Sequence, residues 1–131
     1  AVVPAILAGN AIYFLVLYPE QPRLANAQGC WNWFDTQTGR AFSEAAWIMA
    51  AIDQTCARHG ADSQRVAVAG LSAGASMAAL LGTRYPQRFK AVVMHSGVPP
   101  GMATSAASAV DAMRGRHPGE APPQAPGDVK A

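Results

Sequence analysis

Residues 65–74 read Arg65-Val66-Ala67-Val68-Ala69-Gly70-Leu71-Ser72-Ala73-Gly74. The short β-branched run that stops at Gly70 predicts a buried strand, because such residues pack well on a pleated surface. The residues that follow, 75–85, are rich in Ala, Leu and Met and end before Pro86, which predicts a helix. The sequence therefore places Ser72 in a tight turn between a strand and a helix.

The same two kinds of segment alternate along the rest of the chain. The other predicted elements are strands at residues 12–18 and 91–94 and helices at 43–59 and 105–114. Ser43 is placed to cap the first of these helices and Gly60 to end it. Helices that alternate with continuously apolar strands predict a parallel sheet covered on both faces, because each crossover lays its helix against the sheet.

A single core accounts for most of the chain. Of the 131 residues, 50% are hydrophobic, which suits one α/β domain over residues 1–115 with a small, mainly parallel sheet of three strands. From residue 116 to residue 131 the composition turns to Pro, Gly and short polar residues. Such a segment cannot bury enough apolar surface to offset its ordering entropy, so we expect a disordered tail.

Charge and composition exclude several classes of partner. Only 14% of the residues are charged and the net charge of +2 comes from scattered residues, so we expect no nucleic-acid partner. The apolar opening run, residues 1–18, contains Pro4, Gly9 and Asn10 and lacks a basic region, so we expect neither a membrane span nor a signal peptide. The spacing of the two cysteines fits no common zinc site, and we expect no metal and no cofactor.

The turn at Ser72 has the pattern of a catalytic serine. A serine hydroxyl is a weak nucleophile, so it needs a position clear of the sheet, a general base and donors for the oxyanion. A G-x-S-x-G turn supplies that position in the nucleophile elbow of α/β-hydrolases, where Gly70 and Gly74 would remove crowding Cβ atoms. The backbone N–H of Ala73, at the start of the helix, is the predicted oxyanion donor. The alternative is a turn that serves only packing, with Ser72 as a helix cap.

Several segments together resemble the poly(3-hydroxybutyrate) depolymerase family of esterases, which is related to feruloyl and acetylxylan esterases. They follow the family's order, and the blocks at residues 30–34 and 70–74 are specific in combination. The segments are Leu15-Val16-Leu17-Tyr18-Pro19-Glu20-Gln21, Ala25-Asn26, Cys30-Trp31-Asn32-Trp33-Phe34, residues 65–74, Tyr85-Pro86 and His95-Ser96-Gly97.

This resemblance implies an α/β-hydrolase fold, a three-layer sandwich with a mainly parallel sheet, of which the chain forms a part. It implies ester hydrolysis through an acyl-enzyme at Ser72, on a hydroxyalkanoate polyester or its oligomers, and an extracellular or periplasmic location. The family's catalytic Asp and His match no position of this sequence, and its His-Gly oxyanion loop has no counterpart before Ile12. The competing hypothesis is a catalytically silent hydrolase fragment that acts at most as a binding module.

The histidines of the chain offer few candidates for a general base. The usual order of serine, acid and histidine fits Asp111 followed by His117, but a short helix and a tail can hardly bring both to Ser72. We expect His95, at the carboxyl end of a predicted strand, to have a core or supporting role. We expect His59, at a helix end, to be solvated.

The aromatic block after the first predicted strand has two interpretations. Trp31, Trp33 and Phe34 can line an apolar groove for an acyl or polyester chain, which makes Trp31 and Trp33 predicted substrate-binding residues. Equally, they can close the loop over the core. Cys30 and Cys56 are either a disulfide that pins this loop or two free thiols. The oligomeric state stays open, although a three-stranded sheet would expose edges that favour association.

Overall fold

The computed structural model describes residues 2–6 and 13–115. Within these residues the chain forms four strands and three helices, which are β1 (Val2–Ile6), β2 (Tyr13–Leu17), α1 (Arg40–His59), β3 (Val66–Leu71), α2 (Ala73–Arg84), β4 (Phe89–His95) and α3 (Ala106–Met113). All three predicted helices and all three predicted strands have a counterpart here, and β1 is the one element that the sequence analysis did not anticipate. The predicted tail, residues 116–131, lies outside the described residues.

The centre of the fold is the β3–α2–β4 unit. β3 and β4 pair in parallel, and at their carboxyl ends Leu71 lies opposite His95. Parallel neighbours need a crossover, and α2 provides it and packs against both strands. The approach is close, because a Cβ added to Gly82 of the helix would lie 2.7 Å from Val92 Cγ2 of β4. The predicted order of strand, turn, helix and strand is confirmed.

α1 packs against α2 and begins and ends at glycines. Gly39 and Gly60 flank the helix with φ angles of 80° and 66°, in the left-handed region that glycine adopts without a Cβ clash. Gly60 ends the helix as predicted. Ser43 is not the cap, because the helix starts earlier in the chain, at Arg40, and the Ser43 hydroxyl donates to the Gly39 carbonyl from within the first turn.

One hydrophobic core joins the helices and the loops around them. α3 belongs to it together with the segment that follows β4, so all three helices share one set of buried contacts. Ser105 caps α3 by accepting a hydrogen bond from the Ser108 N–H at 3.1 Å. The buried residues of the core are Trp33, Ala41, Ala45, Ile48, Met49, Ile52, Met77, Leu80, Leu81, Val98, Ala103, Ala109 and Ala112.

β2 does not join the parallel sheet. It pairs antiparallel with β1, with Val2 opposite Leu17, and the described residues form two separate two-stranded sheets. The parallel sheet of the described residues therefore has two strands, and the prediction that β2 is its third strand is wrong. Phe14 and Leu15 are exposed, so β2 is not the buried strand that its apolar run predicts. An apolar run indicates a strand, but it does not identify the strand's partner or its orientation.

The β3–β4 sheet is covered on one face. Along β3, partly buried residues such as Val68 pack toward the core and alternate with exposed ones. On the opposite face Leu71 is 65% exposed and Val93 is 57% exposed. A three-layer sandwich needs helices on both faces of its sheet. The described residues are compatible with the α/β class, and helices cover one face of their small parallel sheet.

Met77 lies in α2 and is almost fully buried in the core. We expect Met77→Ala to lower the free energy of unfolding by about 2–5 kcal/mol, because it removes buried side-chain atoms and leaves a cavity. Leu24→Ala, at a fully exposed position, is the control and should change that free energy by less than about 0.5 kcal/mol. Urea unfolding followed by circular dichroism measures both, and equal losses would contradict this description of the core.

Candidate active site

Ser72 lies in a strained turn between β3 and α2. Its φ of 56° and ψ of −123° lie in a region that residues with a side chain avoid, at a cost of about 1–3 kcal/mol. Its N–H donates to the His95 carbonyl (2.9 Å), and its own carbonyl accepts from the N–H groups of Ala75 (2.9 Å) and Ser76 (3.1 Å). The end of β4 and the first turn of α2 thus hold Ser72 from both sides, which is the arrangement of a nucleophile elbow.

The two glycines of the turn are not equivalent. A Cβ added to Gly70 would overlap the carbonyl group of Gly74 and lie 2.5 Å from Ala75 N. A Cβ added to Gly74 would meet nothing within 4 Å. The prediction that both positions need glycine is therefore wrong for Gly74, which faces open space. Gly70 lies where the strand and the helix touch, and there only glycine fits.

A second close contact joins α2 to the segment after β4. A Cβ added to Gly97 would lie 2.5 Å from Ala75 Cβ, and the Val98 N–H donates to the buried Ser76 Oγ at 2.7 Å. The sequence analysis included Gly97 in a family-like block but gave it no structural role. Its place in that block was the only signal, because the crowding that requires glycine there involves a residue in a different element.

An open cleft of about 270 Å³ lies beside Ser72. One wall is the turn itself, residues 71–74, and the other is the loop segment 29–31. The first N–H groups of a helix have no acceptor within the helix, so the Ala73 N–H is available to a ligand here. On the facing wall, the Trp31 N–H has no hydrogen-bond partner among residues 2–6 and 13–115. Two backbone donors thus belong to the two walls of one cleft.

Trp31 and Trp33 occupy different environments. Trp31 is partly buried against the core and lines the cleft, and its role in substrate binding stays a prediction. Trp33 is 4% exposed and belongs to the core, and its ring meets that of Phe34 edge-on, with centroids 5.8 Å apart. Trp33 therefore does not line the cleft, because its ring is enclosed by the core. Core packing, the other interpretation of this aromatic block, describes Trp33.

The imidazoles of the described residues make no hydrogen bond to the Ser72 hydroxyl. His95 is exposed, so a core role for it is wrong, since the sheet face that it shares with Leu71 is open. It supports Ser72 through its backbone carbonyl, and its Nδ1 lies 3.0 Å from Ser96 Oγ. His59 is exposed in the last turn of α1, as predicted. The structure therefore brings neither imidazole to Ser72 as a general base.

Among the described residues, neither Asp111 nor the two cysteines make a hydrogen bond to Ser72. Asp111 lies on α3, and its suggested partner His117 lies outside the described residues. Cys30 and Cys56 are free thiols, so the loop is not pinned by a disulfide.

Over residues 2–6 and 13–115, no group of three or more His, Cys, Asp or Glu can hold a metal ion. No helix in that part of the chain is long and apolar enough to span a membrane.

Asp35 lies in the loop before α1, where its carboxylate accepts two hydrogen bonds from Thr38. The pKa of Asp35 lies below its usual range because the Thr38 hydroxyl (2.7 Å) and the Thr38 backbone N–H (3.2 Å) donate to its carboxylate. The Asp35 carbonyl also accepts from the Ala41 N–H at the start of α1. The ionised carboxylate thus closes the turn that connects the cleft loop to the helix.

Comparison with known proteins adds an independent finding to this geometry. A family model described as Esterase PHB depolymerase matches residues 5–126. The chain is 39% identical over 106 residues to poly(3-hydroxyalkanoate) depolymerase C of Paucimonas lemoignei. It is 36% identical over 98 residues to feruloyl esterase B of Thermothelomyces thermophilus, and 34% identical over 100 residues to acetylxylan esterase A of Aspergillus awamori.

The matches cover most of this chain and a smaller part of each relative. The match to the depolymerase includes 80% of this chain, the match to the feruloyl esterase 73% and the match to the acetylxylan esterase 75%. They include 26%, 33% and 32% of the three relatives. The chain therefore spans about a quarter to a third of the length of the curated relatives that it matches.

The unequal crowding at the two glycines predicts unequal effects of substitution. We expect Gly70→Ala to lower the free energy of unfolding by about 1–3 kcal/mol, because its methyl group would force β3 and α2 apart. Gly74→Ala is the matched control, and we expect it to raise the stability by about 0.5–1 kcal/mol, because alanine favours the helix and meets no neighbour. Thermal unfolding compares the two, and a Gly70→Ala variant as stable as Gly74→Ala would contradict this account of the turn.

Proposed function

Because this chain belongs to the Esterase PHB depolymerase family, as its sequence predicts, we propose that it hydrolyses carboxylic esters with Ser72 as the nucleophile. The observation that carries the proposal is the strained turn that holds Ser72 beside an open cleft at the start of α2. A turn that served only packing would have no need of this strain. A serine presented to a ligand accounts for both the backbone geometry and the cleft.

In the proposed reaction, Ser72 Oγ attacks the ester carbonyl carbon while a general base takes its proton. The charge on the carbonyl oxygen is stabilised by the Ala73 N–H at the positive end of α2. A second donor comes from the facing wall, where the Trp31 N–H is unpaired among the described residues. The tetrahedral intermediate then loses the alcohol, which takes up the proton, and water hydrolyses the acyl-serine that remains.

The general base and its carboxylate partner do not come from residues 2–6 and 13–115 in this proposal. The imidazoles of His59 and His95, the histidines of these residues, make no hydrogen bond to Ser72, and His95 contacts it through its backbone carbonyl. We place the base in a part of the protein outside these residues. The same observation favours the second candidate function, a catalytically silent module that binds an ester through the cleft.

As the substrate we propose a polyester of 3-hydroxybutyrate or a related hydroxyalkanoate, or its oligomers. The relative with 39% identity is a poly(3-hydroxyalkanoate) depolymerase. The cleft is open and Trp31 lines one wall, which suits an extended aliphatic ester chain. The extracellular or periplasmic location that the resemblance implies is part of the same proposal.

A fluorophosphonate probe tests the nucleophile directly, because it reacts rapidly only with an activated serine. We expect intact-mass analysis to find one label per chain, which Ser72→Ala abolishes. Ser96→Ala is the matched control, because Ser96 is exposed and also has a φ of 56° but does not line the cleft. A folded wild-type chain that takes up no label would refute the proposal for this chain and support the silent module.

Trp31 tests the substrate-binding wall of the cleft. We expect Trp31→Ala to raise KM for p-nitrophenyl butyrate about tenfold, because an aromatic contact worth roughly 1.4 kcal/mol is removed. Trp47→Ala, at an exposed position of α1 outside the cleft, should leave KM unchanged. Steady-state kinetics at several ester concentrations separates KM from kcat, and equal KM values for the two variants would exclude Trp31 from substrate binding.

A further inference from the structure

α1 carries a carboxylate that is completely enclosed. Glu44 is 0% exposed, and its neighbours on the buried face of the helix, Ala41, Ala45 and Ile48, are apolar. The ion pairs of the described residues, Arg65–Asp62 and Arg88–Asp53, do not include it. Burial of a carboxylate without a cation is costly unless hydrogen bonds replace its water. An apolar side chain would satisfy the packing of α1, so the carboxylate serves something beyond the helix.

The hydrogen bonds to Glu44 all come from the loop between β2 and α1. Its Oε1 accepts from Gln21 Nε2 (2.6 Å) and Asn32 Nδ2 (2.6 Å), and its Oε2 accepts from the Asn32 N–H (2.8 Å). Gln21 Nε2 also donates to the Cys30 carbonyl (3.3 Å), and the Cys30 N–H donates to Asn26 Oδ1 (3.3 Å). Both backbone polar groups of Cys30 are therefore held by this set of side chains.

The peptide group between Cys30 and Trp31 links these side chains to the cleft. A trans peptide is planar, and its C=O and N–H point in opposite directions; the described residues contain no cis peptide. Because the Cys30 carbonyl points at Gln21 Nε2, the Trp31 N–H points away from Gln21 and from the enclosed Glu44. This is the N–H that has no partner among the described residues, in the segment that faces Ser72 across the cleft.

We propose that Glu44 and Gln21 are positioning residues that set the direction of the second oxyanion donor. Glu44 orients the amide of Gln21, Gln21 orients the peptide between Cys30 and Trp31, and that peptide presents its N–H to the cleft. The inference rests on the ester hydrolysis proposed above and specifies how one of its two donors is held. A donor contributes to oxyanion stabilisation only when it is already oriented before the charge develops.

Gln21→Leu removes the contact between Glu44 and the Cys30 carbonyl, and it leaves Asn32 Nδ2 as the remaining donor to Glu44 Oε1. Leucine has a similar size, and Gln21 Oε1 has no hydrogen-bond partner among the described residues, so an apolar side chain leaves that position no worse. In the full chain we expect the rate constant for fluorophosphonate labelling to fall about tenfold or more, since a misdirected donor is lost from the transition state. With an ester substrate, kcat should fall by the same factor while KM stays unchanged.

Glu44→Gln tests whether Glu44 orients the amide of Gln21. An amide in place of the carboxylate sets an NH₂ group against either the Asn32 N–H or the two side-chain donors, so part of the hydrogen bonding that holds the loop is lost. We expect a similar loss of labelling rate, and the double variant Glu44→Gln/Gln21→Leu should lose no more than the worse single variant, because both act through one contact. Asp53→Asn is the control, since it removes a carboxylate from α1 that pairs with Arg88 and does not touch the loop.

The direction of the Trp31 N–H is a readout that does not depend on activity. Its ¹H–¹⁵N residual dipolar coupling in the Gln21→Leu variant should shift away from the wild-type value, while the couplings of α2 remain. Unchanged coupling and unchanged labelling in Gln21→Leu would overturn the inference, and so would equal shifts throughout α2. If the wild-type chain takes up no label, the proposed hydrolysis fails, and the coupling alone then supports or overturns the positioning role.

Discussion

The hydrogen bond from the Ser72 N–H to the His95 carbonyl is the contact on which the arrangement of the site depends. It continues the pairing of β3 and β4 to the residue at which the chain reverses into a helix. A backbone in this sparsely populated conformation persists only when its surroundings determine it from more than one side. Here the neighbouring strand holds the N–H of Ser72, and the first turn of α2 holds its carbonyl. Glycine at position 70 lets the helix approach closely enough for both contacts.

The β3–α2–β4 unit could be predicted from the sequence because its determinants are local. The apolar run, the tight turn at Ser72 and the helix before Pro86 follow one another within residues 65–86, and each has its own residue preferences. The family membership was predictable for the same reason, since its specific blocks are short and contiguous. The limits of α1 were predicted well at Gly60, where a C-terminal glycine is a strong signal, and less well at Ser43, where several residues could begin the helix.

Features that depend on distant residues could not be predicted. The apolar run of β2 does not reveal that its partner is β1 or that the pairing is antiparallel. Glu44 has a charged side chain, which from the sequence suggests a solvated helix position. Its burial depends on donors that lie 12 and 23 residues away in the sequence. Trp31 and Trp33 are both tryptophans and lie two positions apart, yet Trp31 lines the cleft and Trp33 is enclosed in the core. Which side of an irregular loop faces the core has no periodic signature.

The contact between α2 and the segment after β4 has a mechanical consequence. Ala75 packs where Gly97 leaves no room for a side chain, and the enclosed Ser76 hydroxyl holds the Val98 amide. These contacts lie within one helical turn of Ser72, so close packing joins the Ser72 turn to residues 97–98. A displacement of the surface beyond β4 is therefore passed to the turn at Ser72 without an intervening hinge.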